Sequence, residues 1–282
     1  MKGGYDVKRR SHRLLTMAAI SAGLGLFAIA PGYAGRKEKA QFRGINYAHR
    51  GLHSRDRSIP ENSLSAFRRA AKAGYGIELD VQLSKDGEVV VFHDDTLDRV
   101  CGVHARVCDL DWSELSRLNL CGTEETIPLF SQVLNSIQGC EALIVELKNG
   151  QRNRELCRKT RDLLASYHGR VCIESFNPLI VMWFRFHAPH VFRGQLATSL
   201  KDYRESRIHG LKAFVLHNTL LNFLSRPHFI AYRIGFRPLS VRISNILGAL
   251  NVGWTSHEPR NEKGRDAIIF EFYRPKQRYL TN

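Results

Sequence analysis

The sequence predicts an α/β protein with a parallel sheet, sized for a (β/α)8 barrel and preceded by one N-terminal hydrophobic helix. Three observations predict it. Short runs nearly continuous in apolar residues recur along the chain, as strands buried on both faces require. Helical patterns separate most of them, and that alternation argues for a parallel sheet. From Gly44 to Asn282 there are about 240 residues, close to the roughly 250 typical of such a barrel, so one domain with ample core is expected.

The N-terminus divides into a basic segment, 1–13, a membrane anchor or signal segment, 14–34, and a basic linker, 35–43. Lys8, Arg9, Arg10 and Arg13 precede an apolar run from Leu14 to Ala30, which Pro31-Gly32 breaks before Arg36, Lys37 and Lys39. Such a run is at the lower limit for a spanning helix and long for a signal-peptide core. An uncleaved anchor is the expectation, with secretion after cleavage at Ala34 as the alternative. Basic residues flank both sides, so orientation stays open.

Domain 44–282 follows. Its candidate strands are Ile45–Ala48, Gly76–Gln82, Glu88–His93, Ala142–Lys148, Val171–Ser175, Arg193–Ala197, either Ala213–Leu216 or Phe229–Tyr232, and Ala249–Trp254. Helical stripes run over Ser63–Ala73, with Leu64, Phe67 and Ala71 aligned, and over Arg154–Tyr167, with Leu156, Leu163 and Leu164 among charges. Asp95–Ile127 fits neither pattern and reads as an excursion that roofs a site.

The chemistry lies in the motifs. In a strand, side chains at i and i+2 share a face, so Glu78 and Asp80 point one way while Ile77, Leu79 and Val81 point the other. Two carboxylates aimed into one space repel unless a cation sits between them, and hard oxygen ligands favour Mg²⁺, Ca²⁺ or Mn²⁺. The spacing recurs in Leu143–Lys148, where Glu146 is the expected third ligand and Lys148 a phosphate partner. Alone, Glu78 with Asp80 reads as an ordinary solvated pair and a strand-end histidine as a structural one. His49 and His93 in matching positions beside three acids point instead to function. Arg50 either contacts phosphate bidentately or pairs with Glu61. Glu61 and Asn62 follow Pro60 at a helix start, where Asn62 also suits a cap; both are read as supporting residues. Ser175, before Phe176, Asn177 and Pro178, serves either the site or the strand end. In a barrel, these positions lie at or near the C-terminal ends of strands and converge on one mouth.

His49-Arg50-Gly51, Pro60-Glu61-Asn62, Glu78-Leu79-Asp80, Ser84-Lys85-Asp86-Gly87, His93-Asp94, Glu146-Leu147-Lys148 and Ser175-Phe176-Asn177 together resemble the glycerophosphodiester phosphodiesterases, with a weaker echo at Gly253-Trp254-Thr255. The resemblance covers nearly everything after the first forty-odd residues. It implies a TIM barrel with one divalent cation, Mg²⁺ or Ca²⁺ with Mn²⁺ a third candidate, hydrolysing glycerophosphodiesters to an alcohol and glycerol 3-phosphate. A divalent ion held by Glu78, Asp80 and Glu146 would polarise the phosphoryl oxygen and activate a hydroxyl, from water or from the substrate's own glycerol. Arg50 and Lys148 would meet the charge on the phosphorane. His49 and His93 would act across the scissile bond, and the resemblance implies His93 as base and His49 as leaving-group acid. Ser256-His257 after Trp254-Thr255 departs from the family pattern and leaves the eighth-strand contribution open. Trp254 either stacks on the alcohol or glycerol moiety or packs the barrel mouth.

The formal charge of +15, from 42 Lys and Arg against 27 Asp and Glu, suits anionic lipid headgroups or anionic substrates. It comes without the interleaved basic and aromatic residues of nucleic-acid binding, which is not expected. Six cysteines lack C-x-x-C spacing, which argues against zinc. Cys101 with Cys108 or Cys121 is the candidate disulfide if the domain is outside the cell, and reduced thiols are the alternative. Two other functional classes stand beside the first: a membrane-bound enzyme acting on lysophospholipids or lipid-linked polymers, and a catalytically dead binding barrel, against which the intact motif set argues.

Overall fold

The computed structural model describes residues 3–137 and 142–276. Its strands are β1 (Asn46–Ala48), β2 (Gly76–Leu83), β3 (Val89–Val91), β4 (Leu143–Leu147), β5 (Val171–Ser175), β6 (Phe192–Ala197), β7 (Phe229–Arg233), β8 (Leu250–Ser256) and β9 (Ala267–Phe270). Eight of them close a parallel ring in the order β1, β2, β4, β5, β6, β7, β8, β9, with β9 pairing back onto β1.

Three expectations about strands need correction. Glu88–His93 is not a barrel strand: β3 runs antiparallel to the far end of β2, with Val81 opposite Val91. Residues 84–88 form a tight return, in which the Ser84 N–H donates to the Glu88 carbonyl at 3.0 Å, whereas a parallel neighbour needs a crossover of a dozen or more residues. Ala213–Leu216 lies within the helix Gly210–His217, so Phe229–Tyr232 supplies the barrel strand. The ring closes on Ala267–Phe270, which was not expected, so Trp254 lies on the seventh ring strand.

Alternation of side chains builds the interior. Ile77, Leu79, Val81, Leu143, Val145, Leu147 and Ile173 face outward and pack against the surrounding helices. Their alternates face the axis. Toward the strands' N-terminal ends these are apolar, with Tyr47, Ile144, Cys172, Phe192, Phe229 and Ile269 in one cluster. Higher up they are Glu78, Asp80, Glu146 and Glu174.

The barrel floor is closed by the segment read as a linker. Residues Arg36–Ala40 form a short helix, and Phe42 stacks on Phe192 with centroids 4.5 Å apart. Ala34 joins the same inner cluster. The long helix Gly3–Ile29 docks by its end: Asn222 Nδ2 and Ser244 Oγ donate to the Ile29 carbonyl at 3.1 and 2.8 Å. Among the described residues no helix is long and apolar enough to cross a membrane.

Residues 95–127 do form an excursion, with an apolar cluster of their own that includes Leu97, Val100, Val107, Leu115 and Ile127. The thiols of Cys101, Cys108, Cys121, Cys157 and Cys172 are unpaired, and Cys140 lies outside the described residues.

Candidate active site

The site starts from a sharp turn after β1. Arg50 and Gly51 both have positive φ, 52° and 78°, and a Cβ on Gly51 would come within 2.9 Å of Ala66, so glycine is required there. This turn aims the Arg50 backbone N–H at Glu78 Oε2, 2.9 Å away. The Arg50 guanidinium meets Glu61 Oε1 at 2.7 Å and stands 3.6 Å from Asp80 Oδ2. Both sequence alternatives for Arg50 therefore hold in part: it pairs with Glu61 and also borders the acidic centre.

Glu78, Asp80 and Glu146 are buried, and one ligand oxygen from each lies within 4.8 Å of the others. Strand register explains the cluster: Asp80 stands opposite Glu146 across β2 and β4, and Glu146 opposite Glu174 across β4 and β5. Lys148 Nζ reaches Glu146 Oε1 at 2.9 Å and Asp80 Oδ1 at 3.3 Å. Burial opposes ionisation of Asp80, but Lys148, then His93 and Arg50, hold its carboxyl far below the usual carboxylate range. Glu78 is pushed well above that range, by burial first and then by Asp80 and Glu146. Burial would also discharge Lys148, yet Glu146 and Asp80 outweigh it and keep the ammonium charged.

This all-oxygen donor set fits a hard divalent cation. A cation among these oxygens would favour the ionised form of Glu78, which burial and the neighbouring Asp80 and Glu146 oppose.

Asn62 is not the helix cap. Ser63 takes that place, accepting from the Ala66 N–H at 3.2 Å, while Asn62 donates its amide to Asp80 Oδ2 at 2.9 Å. Glu61 is bound by Arg50 and by both terminal nitrogens of Arg99; although burial opposes it, these cations draw its pKa down to about 2.

His93 follows β3 and lies close enough to Asp80 to help keep it ionised. Its Nδ1 is 2.6 Å from Asp94 Oδ1, and Gln82 Nε2 donates to the carbonyls of Phe92 and Asp94, which pins the segment. His49 sits at the end of β1, its Nδ1 3.5 Å from Glu271 Oε1. Burial first, then Arg50, lowers its pKa to about 4 despite Glu271, so the ring is neutral at pH 7 until an anion arrives beside it.

Ser175 is buried and donates to the Leu147 carbonyl at 2.7 Å, steadying the end of β4 just before Lys148. Asn177 caps the next helix through the Leu179 N–H. Trp254 donates its indole N–H to the Ala231 carbonyl at 3.1 Å and stands edge-on to Phe176, lining a large cavity at the mouth.

Three groups escaped the sequence reading. Glu174 is buried, its Oε2 without a hydrogen-bond partner among the described residues, and its pKa is raised by burial first and then by Glu78, Glu146 and Asp80. Glu271 and His53, 2.8 Å apart, form with His49 a second polar cluster. Two-residue spacing would have found both acids: Glu174 follows Cys172 on β5, and Glu271 follows Ile269, had the last strand been recognised.

Residues 49–270 match the glycerophosphoryl diester phosphodiesterase family. A glycerophosphodiester phosphodiesterase of Caldanaerobacter subterraneus is 34% identical over 163 residues, 53% of this chain and 65% of that protein. One from Bacillus altitudinis is 34% identical over 157 residues, 51% of this chain and 63% of that protein. The chain thus spans just under two-thirds of the length of these relatives. A solved Oleispira antarctica phosphodiesterase, crystallised with the product sn-glycerol-3-phosphate, superposes with a TM-score of 0.67 at 22% identity, over 82% of this chain and 94% of that one. Motif set, barrel and matched span agree: the chain belongs to the glycerophosphoryl diester phosphodiesterase family.

Proposed function

We propose that the protein hydrolyses glycerophosphodiesters to an alcohol and glycerol 3-phosphate with one divalent cation, Mg²⁺, Ca²⁺ or Mn²⁺. The observation that carries this reading is the buried triad Glu78, Asp80 and Glu146, flanked by Lys148 and Arg50 and with His49 and His93 close by. The triad would hold the cation, which supplies Lewis-acid polarisation of the phosphoryl oxygen. Arg50 and Lys148 neutralise charge on the phosphoryl oxygens. His93, fixed through Nδ1 by Asp94, takes a proton from the attacking hydroxyl. His49, supported by Glu271, returns one to the leaving alcohol; the anionic diester beside it favours the protonated ring it needs. Asn62 and Glu61 hold Asp80 and Arg50 in place.

The test is release of glycerol 3-phosphate from glycerophosphocholine and glycerophosphoethanolamine with Ca²⁺, Mg²⁺, Mn²⁺ or EDTA. Cation-dependent release that Glu78→Ala abolishes supports the reading; no release with any cation rejects it.

Membrane association through the N-terminal segment belongs to the same proposal. Its support is the basic N-terminus together with Met17, Ile20 and Leu24, which the helix Gly3–Ile29 leaves exposed, an arrangement suited to an anionic bilayer surface.

A further inference from the structure

Ring closure brings together a second set of metal-ligating side chains, which the proposed reaction uses only in part. In the register of the closing strands, Ala48 of β1 and Ser256 of β8 both stand opposite Phe270 of β9. The residues that follow, His49, His257 and Glu271, therefore leave neighbouring strand ends at one level. Their backbone is fixed there: the Glu271 N–H donates to the Ser256 carbonyl at 2.8 Å, and the His49 N–H to the Phe270 carbonyl at 3.0 Å. The turn after β1 then returns His53 to the same carboxylate. Phe272 backs the group, edge-on to His53 and stacked on His257.

One ligand atom from each of His49, His53 and Glu271 lies within 4.8 Å of the others. A tetrahedral ion with bonds of about 2.0–2.1 Å sets its ligand atoms roughly 3.4 Å apart. Glu271 Oε1 is 3.5 Å from His49 Nδ1 and 2.8 Å from His53 Nε2, so the first edge fits as it stands and the second must open by roughly half an ångström. His49 Nδ1 is buried and has no hydrogen-bond partner among the described residues, an orphaned polar atom that an ion would satisfy. His257 Nδ1 lies 3.7 Å from Glu271 Oε2, and both residues line the mouth cavity, which gives an ion a way in. Imidazole nitrogens with one carboxylate form a borderline donor set, unlike the all-oxygen triad, and favour Zn²⁺ and its neighbours over Mg²⁺ or Ca²⁺. The cysteine spacing that argues against zinc concerns thiolate ligands and does not touch this cluster.

We infer that His49, His53 and Glu271 bind a Zn²⁺-class cation at the barrel mouth, apart from the triad, with His257 or water as fourth ligand, and that its occupancy stops turnover. The site goes beyond the phosphodiesterase reading above; the inhibition rests on that reading. A His49 ring ligated through Nδ1 cannot become the imidazolium that donates to the leaving alcohol.

The experiment titrates Co²⁺, whose visible absorption reports four-coordinate binding, into the full chain and two variants. The absorption should persist in Glu78→Gln, where the triad is disabled, and vanish in His53→Gln, whose circular dichroism should match that of the unaltered chain. In a second measurement the unaltered chain cleaves glycerophosphocholine with saturating Mg²⁺. Added Zn²⁺ should abolish turnover, and raising Mg²⁺ by about tenfold should not restore it. His53→Gln should raise the half-inhibiting Zn²⁺ concentration by about 100-fold or more, since even an outer partner of a ligand is worth about 10- to 100-fold in affinity. No Co²⁺ absorption in the unaltered chain, or absorption lost in Glu78→Gln and kept in His53→Gln, overturns the site. Relief by Mg²⁺ overturns the inhibition. Failure to cleave the substrate with any cation removes the phosphodiesterase reading and the inhibition together, while the Co²⁺ absorption still decides the site.

Discussion

Glu271 Oε1 stands 3.5 Å from Nδ1 of His49 and 2.8 Å from Nε2 of His53, so one carboxylate bridges two imidazoles. The contact to His49 is an ion-pair distance more than a formed hydrogen bond. Its effect is electrostatic: Glu271 raises a pKa that burial and Arg50 lower. Removing the anion lowers it further and starves the acid. Glu271→Gln should therefore cut kcat by roughly 10- to 100-fold and move the alkaline limb of the kcat–pH profile to lower pH. An unmoved limb would leave Glu271 a purely structural role.

Cation binding should release protons. Glu78 is held protonated by burial and by Asp80 and Glu146, and ligation requires the carboxylate. Calorimetric titrations of Mg²⁺ or Mn²⁺ in buffers of different ionisation enthalpy should give a buffer-dependent heat near pH 7, and affinity should fall on acidification. In Glu78→Gln the buffer dependence should vanish along with activity.

Asn62 acts through Asp80. Its amide makes a 2.9 Å bond to Asp80 Oδ2, and its φ of 55° is a left-handed conformation that asparagine tolerates better than most residues. Asn62→Ala should weaken cation affinity by about 10- to 100-fold, the usual scale for a partner that orients a ligand. It should also cost about 1–3 kcal/mol in urea unfolding, from the lost bond in a buried setting. Asn62→Asp should be worse in both assays, because a fourth carboxylate would face Asp80.

Acid should weaken the fold through buried neutral histidines. Burial first, then Arg193 and Lys39, lowers the pKa of His228 to about 3, and His49 lies at about 4. As pH falls below the unfolded value of about 6.5, the unfolded chain takes up protons that the folded chain refuses, so stability is lost from there down to the folded pKa, at up to about 1.4 kcal/mol per pH unit for each histidine. Urea midpoints at pH 7.5 and pH 5 should differ accordingly, and His228→Gln should shrink the difference.

Vesicle flotation tests the N-terminal segment. The full chain should rise with anionic vesicles and lose that property on deletion of residues 1–24, which spares the docked end at Phe27 and Ile29. Equal flotation of both forms would remove the segment from membrane binding.

Much of this was legible because a strand's two-residue period is local. The pairing of Glu78 with Asp80 on one face, the outward set Ile77, Leu79 and Val81, and the matching placement of Glu146 and Lys148 follow from the sequence alone. So do the helices starting near Ser63 and Asn153, whose stripes need only neighbouring residues. What no local pattern carried was ring membership. The apolar run of β3 looks like a barrel strand by composition, and only its short return from β2 gives it the opposite direction. Counting it as the third barrel strand left no place for Ala267–Phe270, and Glu271 was lost with it. Tertiary structure decided which acids meet across strands, gave Asn62 to Asp80 and the helix cap to Ser63, turned the linker into the barrel floor, and opened a cavity at the mouth beside Trp254 and Glu271. Each of these depends on residues far apart in the chain, whose proximity is fixed by the parallel register and closure of the barrel and not by any pattern within a single segment.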